Sequence, residues 1–184
     1  MSDGFRRSRT GRIILRVDPL EKALLVSLAS QLIDFVVPLP LEDSSDPLVA
    51  IVGIDSYVER PQDPALIRLF PDAYSDDPEA AGDFRRFTER DLRETKASHA
   101  RTAASCLERS GEKIALSADE ALSWMGFLND ARLTLGTRMD ITEENHEELA
   151  QLPEEDERLG LLQAYDWLTF LQDSLVQLHL MSSS

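Results

Sequence analysis

Apolar positions recur at helical spacing over several long stretches of this chain, and branched side chains cluster in only two short ones. Residues 11–17 (Gly-Arg-Ile-Ile-Leu-Arg-Val) predict a short strand. Asp18-Pro19-Leu20-Glu21 then forms a helix start: an aspartate to cap, a proline suited to the first turn, and a glutamate placed to reach back to the cap. The helix should run to about Val37, where Pro38 stops it. Leu24, Leu25, Leu28, Leu32, Phe35 and Val36 recur along it. Val26, Ile33 and Val37 widen the apolar surface, so burial on more than one side is expected. Residues 38–62 mix prolines, acids and serines and read as a loop, within which 49–54 suits either a helical turn or a strand.

Asp63-Pro64 repeats the start signal for a short helix ending at Phe70-Pro71, and Asp77-Pro78-Glu79 opens a long one reaching about residue 110. Gly111 is then placed to end it in the left-handed region. Residues 113–116 (Lys-Ile-Ala-Leu) predict a second strand, able to pair with the first. Ser117-Ala118-Asp119-Glu120 is a capping box for a helix to about Leu135, closed by Gly136, with Ala121, Trp124, Leu128, Ala131 and Leu135 on one face. A short helix is expected over 142–152 and a last one from Glu154 to about Leu180. The last helix carries a stripe of Leu161, Tyr165, Leu168, Leu171, Leu175 and Leu178, with Trp167 and Phe170 alongside. The expected fold is mainly α: a multi-helix bundle with a small two-stranded β element. It forms one helical domain over 1–184, with a flexible basic arm over 1–10 and a frayed tail over 181–184. Surplus apolar faces on the first and last helices point to a homodimer.

With 184 residues, 42% of them hydrophobic, the chain has enough apolar material for one packed core. Nineteen Lys and Arg against 34 Asp and Glu give a net charge of −15, which argues against a surface coated in basic charge for non-specific nucleic-acid binding. The charge is uneven. Residues 38–80 carry two basic and ten acidic side chains, and 139–184 carry one and eleven, whereas 1–37 and 81–138 are close to balance. Two readings fit: solvated faces that pair with one another, or a basic surface for DNA or an acidic partner. The cleanest basic segment is the N-terminal arm, with Arg6, Arg7, Arg9 and Arg12 and no acid between Phe5 and Arg12. Such an arm lies on phosphate or folds onto an acidic neighbour, residues 143–148 being one candidate. Arg86, Arg90 and Arg93 form a second stripe on the long helix, with Lys96 near it. Asp83, Glu89, Asp91 and Glu94 offer it intrahelical pairs, each worth roughly a few tenths of a kcal/mol.

Little points to catalysis. There is no glycine-rich phosphate loop, no His-Glu-x-x-His, no nucleophile elbow and no kinase signature. One cysteine excludes a disulfide framework and a Cys-rich zinc site, and three scattered histidines offer no metal centre. No enzyme and no cofactor is expected, and His146, in an acidic segment, reads as solvent-facing. Cys106 is either a small buried hydrophobe or a redox-responsive thiol. Arg109, one turn on, favours the thiolate, and the C-terminal end of the helix disfavours it. Asn129, Asp130 and Arg132 interrupt the helix at 121–135, with Arg138 just beyond, and read as ties between helix ends. The N-terminus has no apolar signal-peptide core. The uncharged run 23–33 is far short of the ~20 residues that span a bilayer, so a cytoplasmic protein is expected.

Three stretches carry a further signal. They are Arg-Leu-Phe-Pro-Asp-Ala-Tyr at 68–74 with Phe-Arg-Arg-Phe-Thr at 84–88; Trp124 with Leu-Asn-Asp-Ala-Arg-Leu-Thr-Leu-Gly-Thr-Arg at 128–138; and Tyr-Asp-Trp-Leu-Thr-Phe-Leu-Gln at 165–172. Together they resemble an actinomycete family first described as a domain of unknown function and later named for an oxidative-stress regulator, AosR. The resemblance covers nearly the whole chain. It implies a regulator of redox homeostasis that works with a stress sigma factor and RNA polymerase, with direct DNA contact left open. Family genes that lie beside the gene for the adaptor ClpS imply an alternative role in Clp proteolysis. The resemblance also implies a switch through a disulfide within one chain, and Cys106 alone cannot form one. No helix-turn-helix is legible: the helix expected at 142–152 and its successor have a suitable length, but their acidic surface repels phosphate.

Overall fold

Asp18 caps helix α1 (Pro19–Val36) as expected. Its Oδ1 accepts from the backbone N–H groups of Leu20 and Glu21 at 2.8 Å, and the Asp18 N–H donates to the Glu21 carboxylate at 3.0 Å. The structure, a computed structural model, describes residues 3–37, 61–74 and 76–181. The segment that reads as a loop or short element over 38–60 therefore lies outside the described residues. Around α1 stand strands β1 (Arg6–Arg7) and β2 (Ile13–Arg16), helices α2 (Pro64–Leu69) and α3 (Pro78–Glu108), and strand β3 (Lys113–Leu116). Helices α4 (Ala118–Arg138), α5 (His146–Leu149) and α6 (Glu157–Leu180) follow. The chain is mainly α, as the periodicity indicates.

The β element has three antiparallel strands, not two, in the order β1-β2-β3. The extra strand comes from the segment expected to be a free arm. Phe5 is buried and meets the Trp124 ring edge-on at 5.7 Å, and its N–H donates to Ser174 Oγ at 2.9 Å. Gly11, at φ +82°, turns the chain back through a bond from its N–H to the Ser8 carbonyl. Two consecutive arginines carry no strand pattern; the buried phenylalanine beside them sets the pairing.

Other helix boundaries differ for identifiable reasons. Helix α4 does not close at Gly136 but continues to Arg138. Asp140 takes the left-handed position (φ 52°), and Ile141 N–H bonds back to the Gly136 carbonyl. Gly136 is small because the Tyr165 ring lies on it: a Cβ there would stand 3.0 Å from Tyr165 Cε2. Helix α3 ends without a left-handed glycine; Lys22 Nζ reaches from α1 to the Ser110 carbonyl at 2.6 Å and satisfies its terminus. The helix expected over 142–152 shrinks to α5. Glu147 and Glu148 occupy its single turn, Glu143 and Glu144 precede it, and it buries nothing, so no burial compensates the cost of nucleation. Helix α6 starts at Glu157, capped by Asp156, and not at Glu154. On α6 Leu162 is buried, whereas Leu161, expected on the core stripe, and Phe170 are exposed.

Helix α4 is the hub, touching α1, α2, α3, α6 and β3. Its Trp124, Phe127 and Leu128 are wholly buried. The second half of α3 faces α1 with Ala97, Ala100 and Ala103, all fully buried, so the two backbones approach closely over Leu25, Ala29 and Leu32. At the α3–α4 crossing the His99 imidazole sits on Gly126, and a Cβ there would overlap the ring. Gly126→Ala gains about 1 kcal/mol of helix propensity and pays about 1–3 for overpacking, so a net loss is expected. Denaturant unfolding should show that sign reversed in a His99→Ala background; a gain in the His99 protein would contradict the close packing.

Candidate functional site

The arginines of the N-terminal segment are presented on the β1–β2 hairpin, which is clipped to α6. Arg7 Nη2 donates to the Leu178 carbonyl at 3.1 Å, and Arg6 pairs with Asp3 at 3.0 Å, both largely in solvent. Arg9 and Arg12 are exposed at the hairpin turn. Alternation along the strands places Arg7, Ile13 and Leu116 in one cross-strand row. That row forms one side of a cavity of about 440 Å³. Ala118, Ala121 and Leu122 of α4 and His179 of α6 complete the walls, and Thr10, Gly11 and Arg12 form the lip. The interior is mostly apolar and the rim carries two arginines. A second cavity of about 400 Å³ lies between α1 and α4, lined by Leu28, Leu32, Phe35, Leu135 and Arg138 among others.

The stripe of Arg86, Arg90 and Arg93 is not one surface. Arg90 is exposed, Arg86 is half-buried beside Asp83 at 3.3 Å, and Arg93 is buried. Arg93 joins a group the helical spacing does not reveal. Glu89 accepts from Arg93 at 2.7 Å and from Arg85, which also holds Asp72 beyond the end of α2. Burial pulls the Arg85 guanidinium down, and its bonds to Asp72 and Glu89 outweigh that and hold it above its ordinary value. Arg93 stacks over the Phe70 ring at 4.4 Å. Lys96 stands 5.8 Å from the same ring and pairs with buried Asp130 at 2.7 Å. Three cations and three carboxylates thus close on themselves around Phe70, a structural tie between α3, α4 and the 70–72 turn. In the sequence, 68–72 and Arg85 stand only as motif residues, and Glu89 and Lys96 have the spacing of a solvated stripe.

The remaining residues singled out in the sequence make contacts within the fold. Trp124 lies between Phe5 and Phe127, both edge-on to it. Asn129 donates to Asp130 at 3.3 Å. Arg132 is half-buried, with its Nε lacking a partner among the described residues. Arg138 lies over Phe35 at 4.9 Å and reaches Asp63 at 3.6 Å, tying α4 to α1 and to the α2 cap. His146 is not merely solvent-facing: its Nε2 meets Asp166 at 2.8 Å and fastens α5 to α6.

Cys106 is buried with no exposed surface, inside the main core. Arg109 donates to Glu120 at 2.6 Å, and its guanidinium stands above its ordinary value through Glu120 first and Cys106 second. The Glu120 carboxyl is held below its ordinary value, chiefly by the Ser117 N–H and then by Arg109. A thiol reagent is expected to modify Cys106 only as the protein unfolds, so that labelling follows the global unfolding rate. Labelling of the native protein within mixing time would show the core open at that point. Among the described residues no group of His, Cys, Asp and Glu could hold a metal ion, and no helix is long and apolar enough to cross a membrane.

The model of a family described as a domain of unknown function, DUF2017, matches residues 2–179. A protein of Mycobacterium bovis named oxidative stress regulator AosR is 34% identical over 172 residues, covering 86% of this chain and 78% of its own. A protein of the same name in Mycobacterium tuberculosis is similar to the same extent. No solved structure matches this chain at a significant level.

Proposed function

Since the chain belongs to the DUF2017 family, with relatives named as oxidative stress regulators, we propose that it regulates the oxidative-stress response by protein contact with the transcription machinery. The contact we have in mind is a cytoplasmic stress sigma factor with RNA polymerase, made by Arg6, Arg7, Arg9 and Arg12. The observation that carries this reading is charge placement. The molecule has a net charge of −15, yet the hairpin turn presents arginines with no acid between Phe5 and Arg12. That arrangement suits a local contact with an acidic protein surface better than the long phosphate arrays of DNA, which the overall acidity opposes. One cysteine leaves no internal disulfide, and its burial favours a regulator that receives the redox signal through its partner.

The test is affinity purification of the tagged protein from cells grown with and without peroxide, read by mass spectrometry. A sigma factor and RNA polymerase are expected, and both should be lost when the four arginines are changed to glutamate. Recovery of Clp subunits or ClpS without polymerase would overturn the regulator reading in favour of an adaptor in proteolysis.

A further inference from the structure

We propose that the cavity beneath the hairpin is a socket for one bulky apolar side chain of an acidic protein segment. The carboxylates of that segment would lie against Arg7 and Arg12. This deepens the regulator reading and rests on it for the biological partner, but not for the chemistry of the site.

Arg7, Ile13 and Leu116 are paired across the sheet in one row, so a guanidinium stands at the end of an apolar wall. Helix α4 supplies the opposite wall with Ala118, Ala121 and Leu122. Two of these are alanines, which leaves open the volume that larger side chains would fill. The resulting space of about 440 Å³ is of the size that takes a side chain or small ligand, and pockets of ~300–1,000 Å³ are the usual range. Leu122 is 47% exposed, so the α4 wall is open to an incoming side chain. Arg12 on the lip is exposed. An apolar interior with an arginine rim matches an aromatic or leucine anchor between carboxylates, the arrangement in which interface hot spots concentrate. Duplex DNA presents no apolar group larger than a thymine methyl to fill the space, and its length brings phosphates against acidic surface beyond the hairpin. An acidic segment feels that net charge less, because screening favours charges within ~10 Å; Arg7 and Arg12 line the cavity itself, whereas Asp119 and Glu120 of α4 stand beside its lining. The other large cavity, between α1 and α4, gives no such direction, since Asp34 and Arg138 of opposite sign both line it.

The experiment is fluorescence anisotropy with the full chain and three labelled probes at one ionic strength. The first is a short peptide with glutamates flanking a central phenylalanine. The second has alanine in place of the phenylalanine, and the third is a short DNA duplex. The first probe is expected to bind at least about tenfold tighter than either of the others. Leu122→Glu and Arg12→Glu, both at exposed positions, should each weaken it by about tenfold or more, with unchanged circular dichroism. Should Leu122→Glu fail to fold, Arg12→Glu reads the rim by itself. Equal binding of the two peptides, tighter binding of the duplex, or full binding by Arg12→Glu overturns the socket. The two readings separate cleanly. A protein that recovers a sigma factor from cells but ignores the phenylalanine peptide keeps the regulator and loses the socket. One that binds the peptide but recovers Clp subunits without polymerase keeps the socket and loses the regulator.

Discussion

Glu89→Ala is expected to destabilise this protein by about 3–5 kcal/mol, because it leaves Arg85 and Arg93 buried without their shared carboxylate. On a chain of this size that is roughly 6–20 °C off the unfolding midpoint. Glu89 is one of four polar or charged residues buried among the described ones, and it accepts from guanidinium groups one turn before and one turn after it. Arg85 keeps Asp72 in the variant, and Arg93 keeps, among the described residues, the face of Phe70. Replacing the whole group tests the same physics from the other side. Arg85→Met, Glu89→Leu and Arg93→Met together remove the desolvation cost along with the Coulomb attraction. They are expected to cost less than Glu89→Ala alone. Urea unfolding of both variants decides it. A loss under about 1 kcal/mol for Glu89→Ala would mean that water reaches the guanidinium groups and that the network is a surface one.

Trp124→Ala should cost about as much, about 3–5 kcal/mol, and Trp124→Phe far less. The side chain is wholly buried and holds Phe5 and Phe127 edge-on at 5.7 and 5.9 Å. Truncation to alanine leaves a cavity at the centre of α4 and removes the surface on which the hairpin is seated. Phenylalanine keeps a ring for those contacts. It also removes an indole N–H that has no hydrogen-bond partner among the described residues, and burying such a donor costs about 1–3 kcal/mol. The smaller ring and the vanished orphan donor oppose each other, so a net loss under about 1.5 kcal/mol is expected. Equal losses for the two substitutions would show that the indole N–H is bonded after all. Limited proteolysis gives a second readout: Trp124→Ala should expose the segment before β2 to cleavage, because Phe5 loses its seat.

How far the sequence reaches depends on whether the signal is local. The caps at Asp18, Asp63, Asp77 and Ser117 are contained within a few residues, and each opens a helix where its motif stands. The strand at β3 and the buried faces of α1 and α4 follow from periodicity in the same way. The family resemblance was legible in short motifs, and the relatives at 34% identity agree with it. The buried network was not legible, because Arg85, Glu89 and Arg93 at i, i+4 and i+8 have the spacing of a solvated ion-pair stripe. The 70–72 turn, brought over them by the fold, covers Arg93 with Phe70 and holds Arg85 through Asp72. The cavity was likewise invisible, since its residues come from three separated stretches of chain.

By itself, then, the sequence determined the mainly helical class, the helix starts, the absence of an internal disulfide and the uneven charge. These rest on interactions within a turn or two, or on composition. Tertiary structure alone decided that Arg6 and Arg7 form a strand, that α4 runs past Gly136, that Arg93 is buried while Arg90 is not, and that a cavity opens beneath the hairpin. Each of those depends on what a distant residue brings near: Trp124 against Phe5, Tyr165 on Gly136, Phe70 over Arg93, and Leu122 and Arg7 lining one cavity. Burial and desolvation are properties of such pairs, and a chain read in one dimension carries no record of which residues will meet.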